Sequence, residues 1–275
     1  MNKYFRLLLT FTTFCFLGML FALYKYYNLR IAFKNQGYTN IYKPTEVQPK
    51  TTQEIIDLTF METETVQKIY QMFKDTVDLF EKLNIRYSVD GGSVIAIVRN
   101  KGLLPWDDDV DLVISQEDEP KLIYMIPMLK ELGYEIIFDN SSYRIFDPNN
   151  PTYPGYKFTY PVIDISTVFF NQRNQKVEYS NFIMREAFPN NWYYKDKFFP
   201  LQKYKFGPLE VYGPNDPGWY IKHYYGSSAL EQAVIYPRHF KPKHSNKITI
   251  PAESIFLQPA LPKEPLKERV KLLNF

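Results

Sequence analysis

Apolar residues recur at three- and four-residue steps over positions 62–83, which is the spacing of one face of an α-helix. The apolar positions are Val66, Ile69, Tyr70, Phe73, Val77, Phe80 and Leu83. This pattern predicts a long amphipathic helix that packs against a core. A second helix is predicted to begin near Pro120, because proline is tolerated in a first helical turn, and to end at Gly133.

Short runs rich in β-branched and aromatic residues predict strands on both sides of these helices. The predicted strands cover residues 87–90, 110–114, 134–138, 143–146, 155–159 and 162–168, and a short helix is predicted at 94–99. Strands interleaved with helices indicate an α/β (α+β) domain, a mixed β-sheet flanked by helices. Beyond Phe170 the chain is rich in Tyr, Pro and Trp and has few long periodic runs.

Residues 7–24 form an uncharged apolar run between Arg6 and Lys25. As a helix the run would cover about 27 Å, close to the hydrocarbon core of a bilayer. Bulky Tyr26 and Tyr27 follow it, whereas a signal-peptidase site needs small residues. The run therefore predicts a single uncleaved transmembrane helix. Basic residues flank it almost equally on both sides, so they do not fix its orientation.

The rest of the chain divides by composition. Residues 1–30 are predicted to be the signal anchor and residues 31–60, which lack periodicity, a stem. The main folded domain is predicted at 61–250. Residues 251–275, which are rich in proline, are predicted to form an extended tail.

Charge and cysteine usage exclude several classes of protein. The net charge is +3 and no basic stripe is visible, which argues against a nucleic-acid binder. The single cysteine, Cys15, lies inside the apolar run, so the remainder has neither a disulfide framework nor a cysteine-based zinc site. The three histidines lack the spacing of zinc ligands.

An acidic run at Asp107, Asp108, Asp109 and Asp111 overlaps the strand predicted at 110–114. Alternate side chains of a strand point to one face, so Asp109 and Asp111 are expected to project together. Two neighbouring carboxylates repel each other unless a cation lies between them. Oxygen-only ligands suit Mg²⁺ or Mn²⁺. Taken alone, the run is also compatible with a solvated acidic loop.

A glycine-rich turn, Gly91-Gly92-Ser93, precedes the short helix. Such a turn offers backbone N–H groups and a hydroxyl to a phosphate, and the helix dipole favours the bound anion. By itself the sequence Gly-Gly-Ser is a turn in most proteins. A phosphate-binding turn followed by a helix and an acidic strand indicates a site for an activated nucleotide.

The stretch GGSVIAIVRNKGLLPWDDDVDLVIS resembles the signature of the LicD family, which includes the fukutin-related phosphotransferases. That signature consists of a glycine-rich turn, a short helix ending in Arg, a Lys/His-Gly turn, Pro-Trp-Asp and a further Asp-x-Asp. The match is specific over residues 90–114 and looser over 62–240. The family in turn is similar to the polymerase-β nucleotidyltransferase superfamily.

The resemblance implies a metal-dependent phosphotransferase. Such an enzyme moves phosphocholine or an alditol phosphate from a CDP-linked donor onto a glycan, with Mg²⁺ or Mn²⁺ as cofactor. It also implies a single-pass membrane protein of the ER or Golgi apparatus with a lumenal catalytic domain that acts in protein glycosylation. The head group of the donor, the acceptor and the oligomeric state are not indicated by the sequence.

The family pattern assigns roles to the acidic residues. Asp109 and Asp111 would bind the metal ions, with Asp107 as a nearby acid. The superfamily needs a third carboxylate on a later strand, and Asp164 lies between apolar neighbours in the strand predicted at 162–168. Asp164 would bind metal and accept the proton of the acceptor hydroxyl. A satisfied structural aspartate is the alternative there, because a buried carboxylate without a partner is costly.

The family pattern also assigns donor-binding residues. Gly91, Gly92 and Ser93 would hold the donor phosphates, and Arg99 or Lys101 would neutralise their charge. Arg99 is also compatible with a surface position on the short helix. The sequence departs from many nucleotidyltransferases in a slightly longer gap between Ser93 and Asp109, which leaves open which aspartates touch the metal.

Two other functions fit parts of the sequence. Golgi-type glycosyltransferases also combine an Asp-x-Asp motif, Mn²⁺ and a short anchor, but they place a nucleotide-binding sheet where this chain has its glycine-rich turn. A membrane-tethered pseudoenzyme or interaction protein would keep the fold without catalysis. The complete acidic set argues for an active enzyme.

Overall fold

The computed structural model describes residues 49, 51–153, 155–239, 243–251 and 254–273. The predicted anchor and residues 31–48 of the predicted stem lie outside this part of the chain. Among the residues described, no helix combines the length and the apolar character needed to cross a bilayer.

A first helix, α1 (Thr52–Thr59), lies in the segment predicted as a stem. Thr51 and Glu54 form a capping box, in which each side chain accepts a hydrogen bond from the other's backbone N–H. After this helix, the Phe60 ring packs 6.2 Å from Trp106. The helix is only two turns long, which is too short for apolar periodicity to reveal it.

The long predicted helix is present as α2 (Thr63–Lys82). Its apolar face is buried, with Ile69, Tyr70, Phe73 and Phe80 fully covered. This face packs under strands β2 and β5 of the sheet, whose bounds follow. Burying side chains of this size contributes about 1.5–3 kcal/mol each, which makes α2 the principal support of the sheet.

The main sheet is mixed, as predicted. Its strands are β1 (Tyr87–Val89), β2 (Asp109–Ser115), β3 (Glu135–Asp139), β4 (Ser142–Phe146), β5 (Val162–Asn171), β6 (Lys176–Tyr179) and β7 (Trp192–Tyr194). The spatial order is β1-β2-β5-β4-β3, and β6 and β7 extend it from the far end of β5. Only β2 and β5 pair in parallel among these strands, and the other pairs are antiparallel.

Helices and hairpins complete the part of the chain that the structure describes. The helices are α3 (Gly91–Ile95, continued by a π-turn at Ala96–Asn100), α4 (Leu122–Glu131, after a 3₁₀ turn at Glu119–Lys121), α5 (Phe182–Ala187), α6 (Lys195–Phe198), α7 (Pro217–Tyr224) and α8 (Ser254–Leu257). Further 3₁₀ turns lie at Ser227–Leu230 and Val270–Leu272. Two hairpins pair β8 (Gln202–Phe206) with β9 (Leu209–Gly213) and β10 (Gln232–Ile235) with β11 (Ile248–Pro251).

The prediction of a strand at 155–159 is wrong. This stretch makes a single bridge, between Thr152 and Thr159, and no ladder. Its aromatic residues are buried for another reason, since Phe158 and Tyr160 pack with Phe146 and Val162 in a small second core. Their apolar character therefore reports burial in a loop and not a place in the sheet.

The proline-rich segment after residue 251, predicted as an extended tail, contributes to the core. Phe256 and Val270 are 1% and 3% exposed. The Tyr70 hydroxyl of α2 donates a hydrogen bond to the Ala260 carbonyl (2.9 Å) and accepts one from the Leu103 N–H (3.0 Å). The segment is thereby fastened to the long helix and to the loop that precedes the acidic run.

Candidate active site

The parallel pairing of β2 with β5 brings the acidic residues together. In this strand pair Asp111 lies opposite Asp164. Asp109 lies two residues before Asp111 and therefore faces the same side of β2. The alternate residues Val110 and Leu112 are at most 1% exposed and belong to the core that contains α2. The acidic face of the sheet is therefore the face opposite the long helix.

Oxygen atoms of Asp109, Asp111 and Asp164 all lie within 4.8 Å of one another. The structure thus brings together three of the four aspartates that the sequence predicted as metal ligands, and Asp107 lies outside this group. Their ligand atoms are oxygens only, which is the donor set that Mg²⁺ and Mn²⁺ prefer. The three residues fit a hard divalent cation, and their roles as ligands stay predictions.

Burial and mutual repulsion disfavour the ionised forms of this cluster. Burial raises the pKa of Asp111 well above its usual value, and the Asp109 and Asp164 carboxylates raise it further. Burial likewise raises the pKa of Asp109. Burial raises the pKa of Asp107 well above its usual value, with added repulsion from Asp109 and Asp108. A cation bound among these carboxylates would reduce their mutual repulsion and stabilise their ionised forms.

Asp164 is partly compensated by an arginine that the sequence analysis missed. The Arg144 Nε atom on β4 lies 3.0 Å from Asp164 Oδ1, and its Nη1 lies 2.9 Å from Asp139 Oδ2. Burial raises the pKa of Asp164 to about 6, and the nearby guanidinium opposes that rise. Arg144 lies in a strand without any motif, so only the pairing of β4 with β5 reveals its partner.

These shifts predict that the effect of a cation on stability depends on pH. The pKa of Asp164 is about 6 in the folded protein, against 3.8 as the ordinary value, so ionisation costs stability as pH rises through that window. A cation binds the ionised form and offsets the cost. We expect Mn²⁺ to raise Tm more at about pH 7.5 than at about pH 5.5. Equal rises in thermal scans at both pH values would contradict this.

A second group of ligand-type atoms adjoins the first. Asp108 is buried, and its Oδ1 atom lies 2.9 Å from His239 Nδ1, which is 3.7 Å from Asp109 Oδ2. The His239 ring stacks on Tyr160 at 5.0 Å. The sequence assigned His239 no role at the acidic run, because it follows that run by more than a hundred residues.

The glycine-rich turn lies directly against the acidic cluster. Gly91 has φ +52°, and a Cβ atom there would come within 2.5 Å of Asp111 Oδ2. A Cβ atom at Gly92 would lie 3.2 Å from Asp107 Oδ2. Ser93 is buried, and its hydroxyl accepts a hydrogen bond from the Asp111 N–H at 3.1 Å. The turn and the acidic strand therefore form one site.

The structure separates the two predicted phosphate-neutralising residues. Arg99 donates hydrogen bonds to the carbonyls of Ala229 and Gln232 and lies over the Trp106 ring. Burial lowers its pKa to about 10, and the nearby Asp107 carboxylate opposes that change. Arg99 is thus an anchored residue beside the acidic run and not a surface residue. Lys101 is exposed, and its backbone carbonyl accepts a hydrogen bond from the Gly207 N–H.

The last turn of α7 borders the same site. Although Tyr225 is 39% exposed, desolvation of its hydroxyl and the Asp111 carboxylate raise the pKa of that hydroxyl. The helix contacts α3, which carries the glycine-rich turn. The helix begins with Asp216, whose side chain accepts a hydrogen bond from the Trp219 N–H, and Pro217. Asp followed by Pro is a common sequence signal for the start of a helix.

A parallel β2–β5 pair that carries three carboxylates beside a glycine-rich turn is the arrangement expected of a nucleotidyltransferase-like domain. The sequence matches the family model described as "LicD/FKTN/FKRP, nucleotidyltransferase domain" over residues 84–216. All of the predicted site residues fall inside that range. The chain belongs to the LicD family, and membership indicates phosphotransferase-type activity.

The chain is also similar to three individual proteins, one of which carries the LicD name. An uncharacterized protein of Rickettsia prowazekii (strain Madrid E) is 32% identical over 211 residues, which cover 75% of this chain and 73% of that protein. An uncharacterized protein of Rickettsia typhi (strain ATCC VR-144 / Wilmington) is 33% identical over 211 residues, 75% of this chain and 62% of that protein. The lipopolysaccharide cholinephosphotransferase LicD of Haemophilus influenzae (strain ATCC 51907 / DSM 11121 / KW20 / Rd) is 38% identical over 45 residues, 16% of this chain and 17% of that protein.

Solved structures of two antibiotic-modifying proteins are distantly similar. The lincomycin-bound lincosamide adenylyltransferase LnuA is 17% identical with a TM-score of 0.35, over 56% of this chain and 84% of that one. The antibiotic-resistance factor ANT(2'')-Ia is 16% identical with a TM-score of 0.26, over 44% and 54%. Scores of this size do not establish a shared overall fold.

Proposed function

We propose that this protein is a metal-dependent phosphotransferase that moves a phospho-alcohol group from a CDP-linked donor onto a glycan. The observation that carries the proposal is the convergence of Asp109, Asp111 and Asp164 within 4.8 Å of one another, directly beside the Gly91 turn. Carboxylates that hold cations next to amides that face a phosphate are what transfer from a diphosphate requires.

The chain's own residues have separable tasks in this reaction. Asp109, Asp111 and Asp164 would hold Mg²⁺ or Mn²⁺, which supplies charge neutralisation to the donor diphosphate when bound. The Gly91-Gly92 amides would orient the donor phosphates. Asp164, which the bound cation would keep ionised, would accept the proton of the acceptor hydroxyl. The Arg144 guanidinium, at 3.0 Å, is the ionic partner of that carboxylate.

The donor and the acceptor follow from the family and not from the geometry. A matched relative is named a lipopolysaccharide cholinephosphotransferase, which supports a phosphocholine donor and a glycan acceptor as the first pair to test. Alditol phosphates are the alternative head groups. The anchor at residues 7–24 and a lumenal ER or Golgi location stay predictions of the sequence.

A calorimetric titration tests the nucleotide-binding part of the proposal. The full chain is expected to bind CDP when Mg²⁺ or Mn²⁺ is present, and binding is expected to fall by at least about 10-fold without a cation, since charge-assisted contacts of this kind contribute about 1.5–3 kcal/mol. In the Asp109→Ala variant CDP binding should no longer depend on the cation, because Asp109 is part of both groups of ligand-type atoms.

Asp196→Ala is the matched control, since Asp196 is an exposed aspartate of the described chain outside the acidic cluster. It should bind CDP like the wild type. A folded wild-type protein that binds no nucleotide with either cation would overturn the proposal and favour a pseudoenzyme or interaction protein. Binding that survives Asp109→Ala unchanged would exclude this cluster as the site.

A further inference from the structure

Asp90 is a buried carboxylate that directly precedes the glycine-rich turn and that no predicted role uses. It is 3% exposed. Its backbone N–H donates to the Asp111 carbonyl at 3.0 Å, so Asp90 extends the pairing of β1 with β2. Asp90 occupies the N-cap position of α3, yet its side chain makes no capping hydrogen bond. The carboxylate must therefore have another task than capping the helix.

Three side chains from the far extension of the sheet bind this carboxylate. The Tyr179 hydroxyl donates to Asp90 Oδ2 at 2.5 Å, the Tyr193 hydroxyl to Oδ1 at 3.1 Å, and the Asn191 amide to Oδ2 at 3.3 Å. The Asn191 amide also donates to the Tyr179 hydroxyl at 2.6 Å. A carboxylate that accepts several hydrogen bonds is held in one orientation, because each bond fixes a different direction.

The network continues to the helix that borders the site. The Tyr220 hydroxyl of α7 donates to Asn191 Oδ1 at 3.1 Å, and its ring stacks on Tyr193 at 4.4 Å. Asp90 thus joins β1 and α3 to β6, to the segment that leads into β7, and to α7. These elements come together around the start of the glycine-rich turn.

The position of the turn is critical because its contact with the acidic strand is so close. At Gly91 the backbone lies so near Asp111 that a single added carbon would come within 2.5 Å of its carboxylate. A shift of about 1 Å in a positioning group can cost about 10²-fold in a reaction. The residue that sets the backbone just before Gly91 therefore controls the geometry of donor binding.

We propose that Asp90 is a positioning residue that, through Tyr179, Tyr193 and Asn191, holds the Gly91-Gly92 turn where it binds the donor phosphates beside the cation. This inference rests on the proposed function and deepens it. It predicts that the network affects nucleotide affinity more strongly than it affects the affinity for the cation itself. Asp90 contacts neither cation nor donor in this arrangement.

The test compares two affinities in variants of the full chain. In Asp90→Asn one acceptor oxygen becomes a donor amide that faces the hydroxyl and amide donors of the network, so the turn is expected to shift. The CDP dissociation constant in saturating Mn²⁺ is expected to rise about 10-fold, as for the loss of one charged hydrogen bond. The Mn²⁺ dissociation constant, measured by electron paramagnetic resonance of free Mn²⁺, should change less than the CDP dissociation constant, and an equal or larger change would overturn the inference.

Asp75→Asn is a closely matched control. Asp75 is also fully buried, accepts a hydrogen bond from a tyrosine, Tyr134, at 3.0 Å, and lies on α2 with Arg269 as its ionic partner. A purely structural role of buried aspartates predicts equal effects in the two variants. We expect the Asp75 variant to bind CDP like the wild type, whatever its change in Tm.

Tyr193→Phe keeps the test decisive if Asp90→Asn does not fold. It removes one donor and keeps the aromatic ring, and the CDP dissociation constant is expected to rise about three-fold. Wild-type CDP affinity in a folded Asp90→Asn protein would overturn the inference, as would wild-type affinity in Tyr193→Phe where only that variant folds. An equal loss in Asp75→Asn would also overturn it. Failure of the wild type to bind any nucleotide would instead overturn the proposed function itself, and the inference with it.

Discussion

Replacing Asp111 by asparagine is expected to weaken Mn²⁺ binding by at least about 100-fold, because loss of a partner behind a ligand alone costs about 10–100-fold. Asp111 lies opposite Asp164 in the parallel pair of strands. One of its carboxylate oxygens lies within 4.8 Å of a carboxylate oxygen of Asp109 and of Asp164. Its backbone N–H is also bound by Ser93, so the strand is held in place and cannot move to supply another oxygen. Phosphate transfer should fall with the loss of the cation.

The measurement is a Mn²⁺ titration followed by electron paramagnetic resonance. Asp118→Asn is the control, since Asp118 is a buried aspartate just after the other end of β2 and pairs with Lys121 at 2.8 Å. That variant removes a carboxylate at the same strand without touching the cluster, and it should bind Mn²⁺ like the wild type. Equal affinity in the Asp111 variant and the wild type would rule out this carboxylate as a ligand.

Substituting Gly91 by alanine is expected to reduce CDP affinity in the presence of Mn²⁺ by about 10–100-fold, the loss of one to two hydrogen bonds to a charged phosphate. Two causes act together. The residue has φ +52°, a conformation that costs an L-residue about 1–2 kcal/mol. In addition, the new Cβ would lie 2.5 Å from Asp111 Oδ2, closer than atoms tolerate, so the turn or the carboxylate must move.

Gly133→Ala separates the two causes. Gly133 also has a positive φ, of +85°, but a Cβ atom there would meet nothing within 4 Å. This control carries backbone strain without the collision, at the end of α4 and away from the cluster. It is expected to lower Tm and to leave CDP affinity unchanged. A Gly91→Ala protein that keeps wild-type CDP affinity would show that the turn does not bind the donor.

The two variants also differ in what they should do to the cation. Asp111→Asn removes a ligand, so its effect on CDP follows from the lost Mn²⁺. Gly91→Ala displaces the turn against Asp111 Oδ2, so it should weaken both, with CDP affected more. Gly92→Ala is predicted to be milder, because its Cβ would approach Asp107 Oδ2 only to 3.2 Å. A graded series of this kind would locate the donor phosphates along the turn.

The sequence by itself determined the local parts of the site. Alternation along one strand placed Asp109 and Asp111 on the same face. The burial of Val110 and Leu112 on the opposite face confirms this prediction. The periodicity of α2 identified the helix that supports the sheet, because a helical face is a property of neighbouring residues. The order of glycine-rich turn, short helix and acidic strand was also readable, since these elements follow each other directly along the chain.

Only the tertiary structure decided which distant residues complete the site. Arg144, His239 and the hydroxyl partners of Asp90 come from elements with no local signal, because pairing and register depend on packing between distant segments. The false strand at 155–159 has the same cause, since apolar residues buried in a loop resemble those of a sheet. Asp164 stands between the two cases. Its strand was predicted locally, but its place opposite Asp111 follows from the parallel pairing of β2 with β5.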